Sequence, residues 1–239
     1  MFELAFEDGA ARLTLSRPEV RNAIAIAGWD RLTETLAEAE RLRPHILEVT
    51  GAGGAFCAGA DLSEFGSLRE DSAARAHFRR AMRSALDQLR AFHAPTVALV
   101  DGACYGAGVA LAMACDLRVA VPGSLFAITP ARMGISYPQE DVHRLVELVG
   151  PSQASRLLFS GEAIDADEAL RIGLVDMVGG WNETRSAILA NDRASLATLK
   201  RGIALAARGV RSDERQDRDF DALFGSDALA SRLAARGRR

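Results

Sequence analysis

The chain of 239 residues is 49% hydrophobic and 26% charged, the balance of a globular protein rather than of a disordered, fibrous or membrane-embedded one. Its 32 acidic residues against 29 basic ones leave a formal charge of −3, so no global positive field draws it to nucleic acid or to an anionic membrane surface. Three cysteines, Cys57, Cys104 and Cys115, lack CxxC spacing and are odd in number, which argues against a zinc site or a disulfide framework and fits a reducing cytoplasm. No basic start is followed by an apolar run, and no apolar stretch nears the roughly 20 residues of a membrane span. Neither a signal peptide nor a bilayer-crossing segment is expected.

In chain order, residues 2–6 and 12–15 read as the arms of a hairpin turned at Asp8-Gly9. Over residues 26–42 the apolar Trp29, Leu32, Leu36 and Ala39 recur at spacings of three and four, which predicts an amphipathic helix. Residues 45–50 form a strand running into the turn Gly51-Ala52-Gly53-Gly54. Residues 69–92 read as one long helix, with Phe78, Met82, Leu86 and Leu89 on one face, and it stops before Pro95 as the pre-proline restriction requires. Residues 96–100 are a buried strand, 101–108 a glycine-rich turn, and a small-residue helix then ends near Cys115. Further strands are expected at 117–121 and 125–128, followed by a helix over 138–149 closed by Gly150. After Pro151 the character turns helical, over 152–159, 165–171, 182–208 and 217–236, with only 174–178 strand-like. This is an α/β layer pattern carrying a helical tail, and no low-complexity linker divides it.

Two segments, 49–62 and 100–112, each run strand, tight glycine turn and helix start in succession, an arrangement that exposes backbone amides able to stabilise an anion. Neither is a nucleotide motif: Gly102-Ala-Cys-Tyr-Gly106-Ala-Gly108 is not GxGxxG, and no Gly-Lys-Ser/Thr is present. For a lone turn of this kind, tight packing alone is the commoner reason for the glycines.

Together, however, the segments belong to a larger pattern. Leu15-Ser-Arg-Pro-Glu-Val-Arg-Asn-Ala23, Ala55-Phe-Cys-Ala-Gly-Ala-Asp-Leu62, Pro95-Thr-Val-Ala-Leu-Val-Asp-Gly102, Tyr105-Gly-Ala-Gly108 with Leu111-Ala-Met-Ala-Cys-Asp116, and the stretch from Ser160 to Asp176 resemble, in order, motifs of the enoyl-CoA hydratase/isomerase (crotonase) superfamily. The resemblance covers nearly the whole chain. It implies an α/β fold: a crotonase-like spiral of β-β-α repeats with a C-terminal helical trimerisation segment, residues 1–180 forming the acyl-CoA-binding core and 181–239 the helical segment of the same functional unit. Assembly as a homotrimer or a dimer of trimers is implied with it.

It also implies a chemistry. Family members hold the carbonyl of an acyl-CoA thioester in an oxyanion hole of two backbone N–H groups and stabilise the enolate formed there. Carried over, the donors are Ala60 and Ala107, with Gly106 preceding the second. Ala58, Asp61 and Leu62 are implied neighbours of coenzyme A, and Arg21 is a candidate for one of its phosphates, with a solvated loop arginine as the alternative. No metal or separate cofactor is expected, since coenzyme A enters as part of the substrate.

The chain departs from the family where a hydratase keeps two glutamates as acid and base: the aligned residues are Ala110 and Pro130. Replacements are sought in residues 129–143. Thr129-Pro-Ala-Arg-Met-Gly-Ile-Ser-Tyr137 is similar to the corresponding stretch of methylmalonyl-CoA decarboxylases of the family, which carry a pocket tyrosine there, although those enzymes have a histidine where this chain has Ala60. Tyr137 and Glu140 are therefore the candidate catalytic side chains. A buried ring with a bonded hydroxyl is the alternative for Tyr137, and a helix-dipole role the alternative for Glu140 and Asp141. His143 reads as a packing or surface residue, and Cys57 and Cys104 as small buried fillers. Three functions are consistent with this pattern: an acyl-CoA enzyme with a non-standard acid/base group, a malonyl-type CoA decarboxylase, and an acyl-CoA-binding protein without catalysis.

Overall fold

The computed structural model describes residues 1–236. Strands β1 (Phe2–Glu7) and β2 (Ala10–Leu15) form the hairpin, with Asp8 and Gly9 both at positive φ (49° and 80°), the requirement of the tight turn whose twist matches the strands. Helix α1 (Ile26–Arg41) follows, burying Trp29, Leu32, Leu36 and Ala39.

Three strand pairs then alternate between two sheets. β3 (Ile46–Gly51), β5 (Thr96–Val100) and β7 (Leu117–Ala120) join the hairpin and β10 (Met177–Val178) in a six-stranded sheet of order β1-β2-β3-β5-β7-β10. Their short successors β4 (Ala55–Cys57), β6 (Ala103–Tyr105) and β8 (Leu125–Ala127) pair in parallel in a second sheet, closed by antiparallel β9 (Ala163–Asp165). After each pair comes helix: α2 (Phe65–Glu70) and α3 (Ser72–Arg90), then α4 (Ala107–Ala114), then α5 (Gln139–Ser160), with α6 (Ala166–Arg171) directly after β9. This is the expected spiral of β-β-α repeats. α4 is buried at every position from Gly108 to Ala114, which only small and apolar side chains permit.

Several expected elements are revised. The helix over 69–92 is two, because Asp71 adopts an extended conformation (φ −110°, ψ 110°) and accepts from the Ala73 and Ala74 amides, capping α3. The helices over 138–149 and 152–159 stand as expected: within α5 the backbone leaves the helical region at Gly150 (φ 74°, ψ 163°), and a second helical segment begins at Pro151. The tail helix over 182–208 divides into α7 (Trp181–Leu189) and α8 (Arg193–Ala207), with Asp192 capping the second. α9 (Glu214–Phe224) and α10 (Asp227–Arg236) replace the helix over 217–236. Strand β6 lies inside the stretch read as turn, and β4 and β9 were equally unforeseen; at three residues each they are too short to show alternation.

Residues from α7 cover the outer face of the six-stranded sheet, where Trp181, Ile188 and Leu189 pack on Ala10, Ile46, Val97 and Val119. Glu48, buried on β3, accepts from Trp181 Nε1 at 2.8 Å, Arg185 Nε at 2.9 Å and Arg12 Nη2 at 2.9 Å. Lys200 on α8 pairs with Asp116 at 2.7 Å and donates to the Ala94 carbonyl. The remainder of the tail shows large apolar side chains to solvent: Leu199, Ile203, Phe220, Phe224 and Leu233 are all exposed. Among the described residues no helix is long and apolar enough to cross a membrane.

Candidate active site

The ends of β4 and β6 are neighbours in the second sheet, Cys57 standing opposite Cys104 in register, so the turn leaving each strand arrives at the same place. A network around Asn22 shapes the first turn. That residue is 2% exposed and at positive φ; its Nδ2 donates to the Ala52 and Ala55 carbonyls at 2.8 and 2.7 Å, while its Oδ1 accepts from the Arg17 amide. The Ala58 amide donates to the Arg21 carbonyl (2.9 Å), and Ala60 is bracketed by two further bonds, Ile24 N–H to the Gly59 carbonyl and Asp61 N–H to the Ile24 carbonyl.

The second turn starts with Gly106 at φ 50°, ψ −115°, a region open in practice only to glycine. Its amide donates to the Ala127 carbonyl, and its own carbonyl accepts from the Val109 and Ala110 amides of α4. The two turns touch. A Cβ on Gly59 would stand 2.9 Å from the Tyr105 carbonyl oxygen and 3.3 Å from the Ala107 nitrogen, and one on Gly108 would be 2.4 Å from the Cys57 carbonyl oxygen. Neither the Ala60 nor the Ala107 N–H has a hydrogen-bond acceptor among the described residues.

The expected coenzyme A neighbours sort into two kinds. Arg21 and Leu62 are exposed, and among the described residues the guanidinium of Arg21 has no bonding partner. Asp61 is committed: it accepts from the Ser63 hydroxyl at 2.6 Å and pairs with Arg17 at 3.0 Å. Those two contacts, the hydroxyl first, hold its carboxyl below the usual range against the opposing pull of partial burial. Arg17 and Asn22 form part of the site's framework and were given no role from sequence, although both lie within the Leu15–Ala23 motif.

At the other wall, Ala110 is buried and Pro130 opens a tight turn, Pro130–Met133. Tyr137 is buried and donates its hydroxyl to the Gly106 carbonyl at 3.0 Å, with the Ala110 N–H facing the same oxygen. The phenol thus lies against the backbone of the position where the resemblance expects a glutamate. Burial, and then the negative charge of Asp141, push its pKa well up. Glu140 is exposed and faces α3, sharing with Arg79, Arg80 and Arg83 a cleft of about 390 Å³ lined by no residue of either turn. The carboxylate turned inward is its neighbour: Asp141 is fully buried, 3.4 Å from Arg83 Nη1, and its burial raises its pKa despite Arg83 and Arg90 nearby. His143 is exposed and pairs with Glu147. Cys57 and Cys104 are fully buried, and burial raises both thiols, that of Cys57 to about 12, which agrees with a packing role.

The two glycine turns thus meet, each carrying a backbone N–H without an acceptor among the described residues, and Tyr137 bonds the backbone of the second. The family model described as enoyl-CoA hydratase/isomerase matches residues 5–221. The chain is 34% identical over 190 residues to the human enoyl-CoA hydratase domain-containing protein 2, mitochondrial, which takes in 79% of this chain and 64% of that relative, under two thirds of its length. It is 30% identical to "Probable enoyl-CoA hydratase echA6" of Mycobacterium tuberculosis, across 99% of this chain and 96% of that protein. Among solved structures it is similar to an enoyl-CoA hydratase/carnithine racemase from Magnetospirillum magneticum, at TM-score 0.93 and 29% identity with 100% and 93% of the chains covered. An enoyl-CoA hydratase from Thermoplasma volcanium superposes at TM-score 0.87 and 28% identity over 98% and 96%. The chain belongs to the enoyl-CoA hydratase/isomerase family.

Proposed function

We propose that this protein is an acyl-CoA-processing enzyme that stabilises a thioester enolate between the N–H groups of Ala60 and Ala107, with its proton-handling group drawn from residues 137–141 rather than from the usual glutamates. One observation supports the reading: two amides without acceptors among the described residues, on turns that approach closely at Gly59. As an α-proton or an α-carboxylate leaves, charge moves onto the thioester oxygen, and donors fixed beforehand meet it without reorganising. Removing one such donor typically costs about 2.7–4 kcal/mol of transition-state stabilisation. In this reading Ala58, Asp61 and Leu62 border coenzyme A, and the exposed guanidinium of Arg21 meets one of its phosphates. The exposed apolar side chains of α8 to α10 support assembly as a homotrimer or a dimer of trimers.

A second reading, decarboxylation of a malonyl-type CoA, is favoured by alanine at 110 and proline at 130. Loss of carbon dioxide leaves its electron pair behind as the enolate, so no base is needed for that step. The deciding experiment is α-proton exchange of butyryl-CoA in deuterated water, run beside carbon dioxide release from methylmalonyl-CoA. Exchange supports the first reading, and release without exchange supports the second. Tight thioester binding with neither would refute both and leave an acyl-CoA-binding protein.

A further inference from the structure

The Gly106–Ala107 peptide is trans, so its carbonyl and its N–H lie in one plane and point in opposite directions within it. Whatever fixes the carbonyl therefore fixes the direction of the N–H. Three donors hold this carbonyl: the Val109 and Ala110 amides at 3.0 and 3.3 Å, and the Tyr137 hydroxyl at 3.0 Å. The first two belong to the opening turn of α4 and move with it. Tyr137, just before α5, is the tie to a different element. Such a tie has a purpose here, because Gly106 sits in a conformation that persists only where its surroundings over-determine it.

The hydroxyl is also poorly suited to exchanging protons with a substrate. Its proton is engaged by the carbonyl, its ring is buried, and burial with the Asp141 charge keeps it protonated across the neutral range. We propose that Tyr137 is a positioning residue: by tethering the Gly106 carbonyl it aims the Ala107 N–H at the thioester oxygen, and it transfers no proton in the reaction. The proposal rests on the oxyanion-hole reading above and assigns one of the residues 137–141 a role other than acid or base.

A double-mutant cycle separates the possibilities. Tyr137→Phe keeps the ring and removes the tether. Ala107→Pro deletes the N–H at the first position of α4, where proline is tolerated. The readouts are butyryl-CoA α-deuteration, methylmalonyl-CoA decarboxylation and butyryl-CoA affinity by calorimetry. The expected result is that Tyr137→Phe slows enolate formation by about tenfold and Ala107→Pro by about 10²–10³. Affinity in Tyr137→Phe stays within about twofold, and the double variant is no slower than Ala107→Pro alone. Independent, multiplying losses would overturn the proposal, since Tyr137 would then act in its own right. A wild-type rate in Tyr137→Phe beside a slow Ala107→Pro would overturn it while leaving the oxyanion hole standing. A wild-type rate in Ala107→Pro, or no enolate formed by the unsubstituted protein, would overturn the functional reading and this one together. Should Tyr137→Phe unfold, 3,5-difluorotyrosine at 137 keeps the bond while acidifying the phenol: an unchanged rate and pH profile supports positioning, and a rate that follows the phenol's acidity overturns it.

Discussion

Substituting Gly59 by alanine tests the close approach on which the site depends. Gly59 has φ +104°, and its added Cβ would lie 2.9 Å from the Tyr105 carbonyl oxygen and 3.3 Å from the Ala107 nitrogen. Both are backbone atoms, so no side chain can rotate away and the turns themselves must separate. Gly54, in the same glycine-rich region, supplies the control: its φ is +74°, but nothing lies within 4 Å of the added carbon. Placing alanine at positive φ costs about 1 kcal/mol or somewhat more, and forced overpacking adds about 1–3 kcal/mol. The expectation is a loss of about 1 kcal/mol for Gly54→Ala and about 3 kcal/mol for Gly59→Ala. For a chain of this size these correspond to falls in Tm of about 2–4 °C and 6–12 °C. Enolate formation responds more selectively, since oxyanion donors work only within about 2.7–3.1 Å of the developing charge: Gly59→Ala slows it by at least about tenfold and Gly54→Ala by less than about twofold. Differential scanning calorimetry with the butyryl-CoA exchange assay measures both. Equal Tm shifts and equal rates in the two variants would refute the claim that the turns are in contact.

Glu48→Gln removes the buried carboxylate joining β3 to α7 and leaves Arg185 and Trp181 Nε1 with a poorer acceptor. Because Arg12 is 52% exposed and can turn to water, the expected loss is about 2–3 kcal/mol rather than the full cost of a broken buried pair, read from the urea midpoint and from Trp181 fluorescence. Desolvation raises the Glu48 pKa, but hydrogen bonds from Trp181 and Arg12, with the charges of Arg12 and Arg185, lower it further, so it lies below its ordinary value of 4.5. The stabilisation is therefore present above about pH 4.5 and lost as pH falls through the depressed value. Midpoints measured from pH 7 to 3 should show that part of the acid slope missing in Glu48→Gln; parallel curves would count against it. Lys200→Met breaks the link of α8 to Asp116 and the Ala94 carbonyl, and limited proteolysis should cut the segment after Leu189 sooner than in the parent. Cys57, Cys104 and Cys115 are buried, the first and last with pKa values pushed to about 12, so iodoacetamide at pH 8 should leave all three unmodified until urea unfolds the chain.

The parts of the fold written in long periodic runs were legible from sequence. The apolar spacing of Trp29, Leu32, Leu36 and Ala39 located α1, because a helix with one apolar face repeats its signal, and the continuous apolar run at 96–100 located β5, buried on both faces. The second sheet was hidden for the opposite reason. β4, β6 and β9 have three residues each, and their identity as strands comes from pairing within the second sheet across long sequence separations. The splitting of the helix over 69–92 turned on one capping residue, Asp71, whose side chain offers the backbone an alternative to continuing the helix.

The two glycine turns were visible because glycine at a forced conformation or a close approach has no substitute, and Gly59, Gly106 and Gly108 stand there. The carboxylates of the opposite wall were harder to rank. Glu140 was preferred over Asp141 for its reach, yet helix phase decides the matter. Leu145 and Val149, four and eight residues beyond Asp141, are buried with it, and that spacing marks the inner face of α5. Glu140 falls about 100° away, with His143 and Glu147 following at intervals of three and seven on the face where those two residues pair. That stripe is written in the sequence itself. What it could not convey is that the inward carboxylate pairs with Arg83 of α3, because α3 and α5 are brought together only by the packing of the whole spiral.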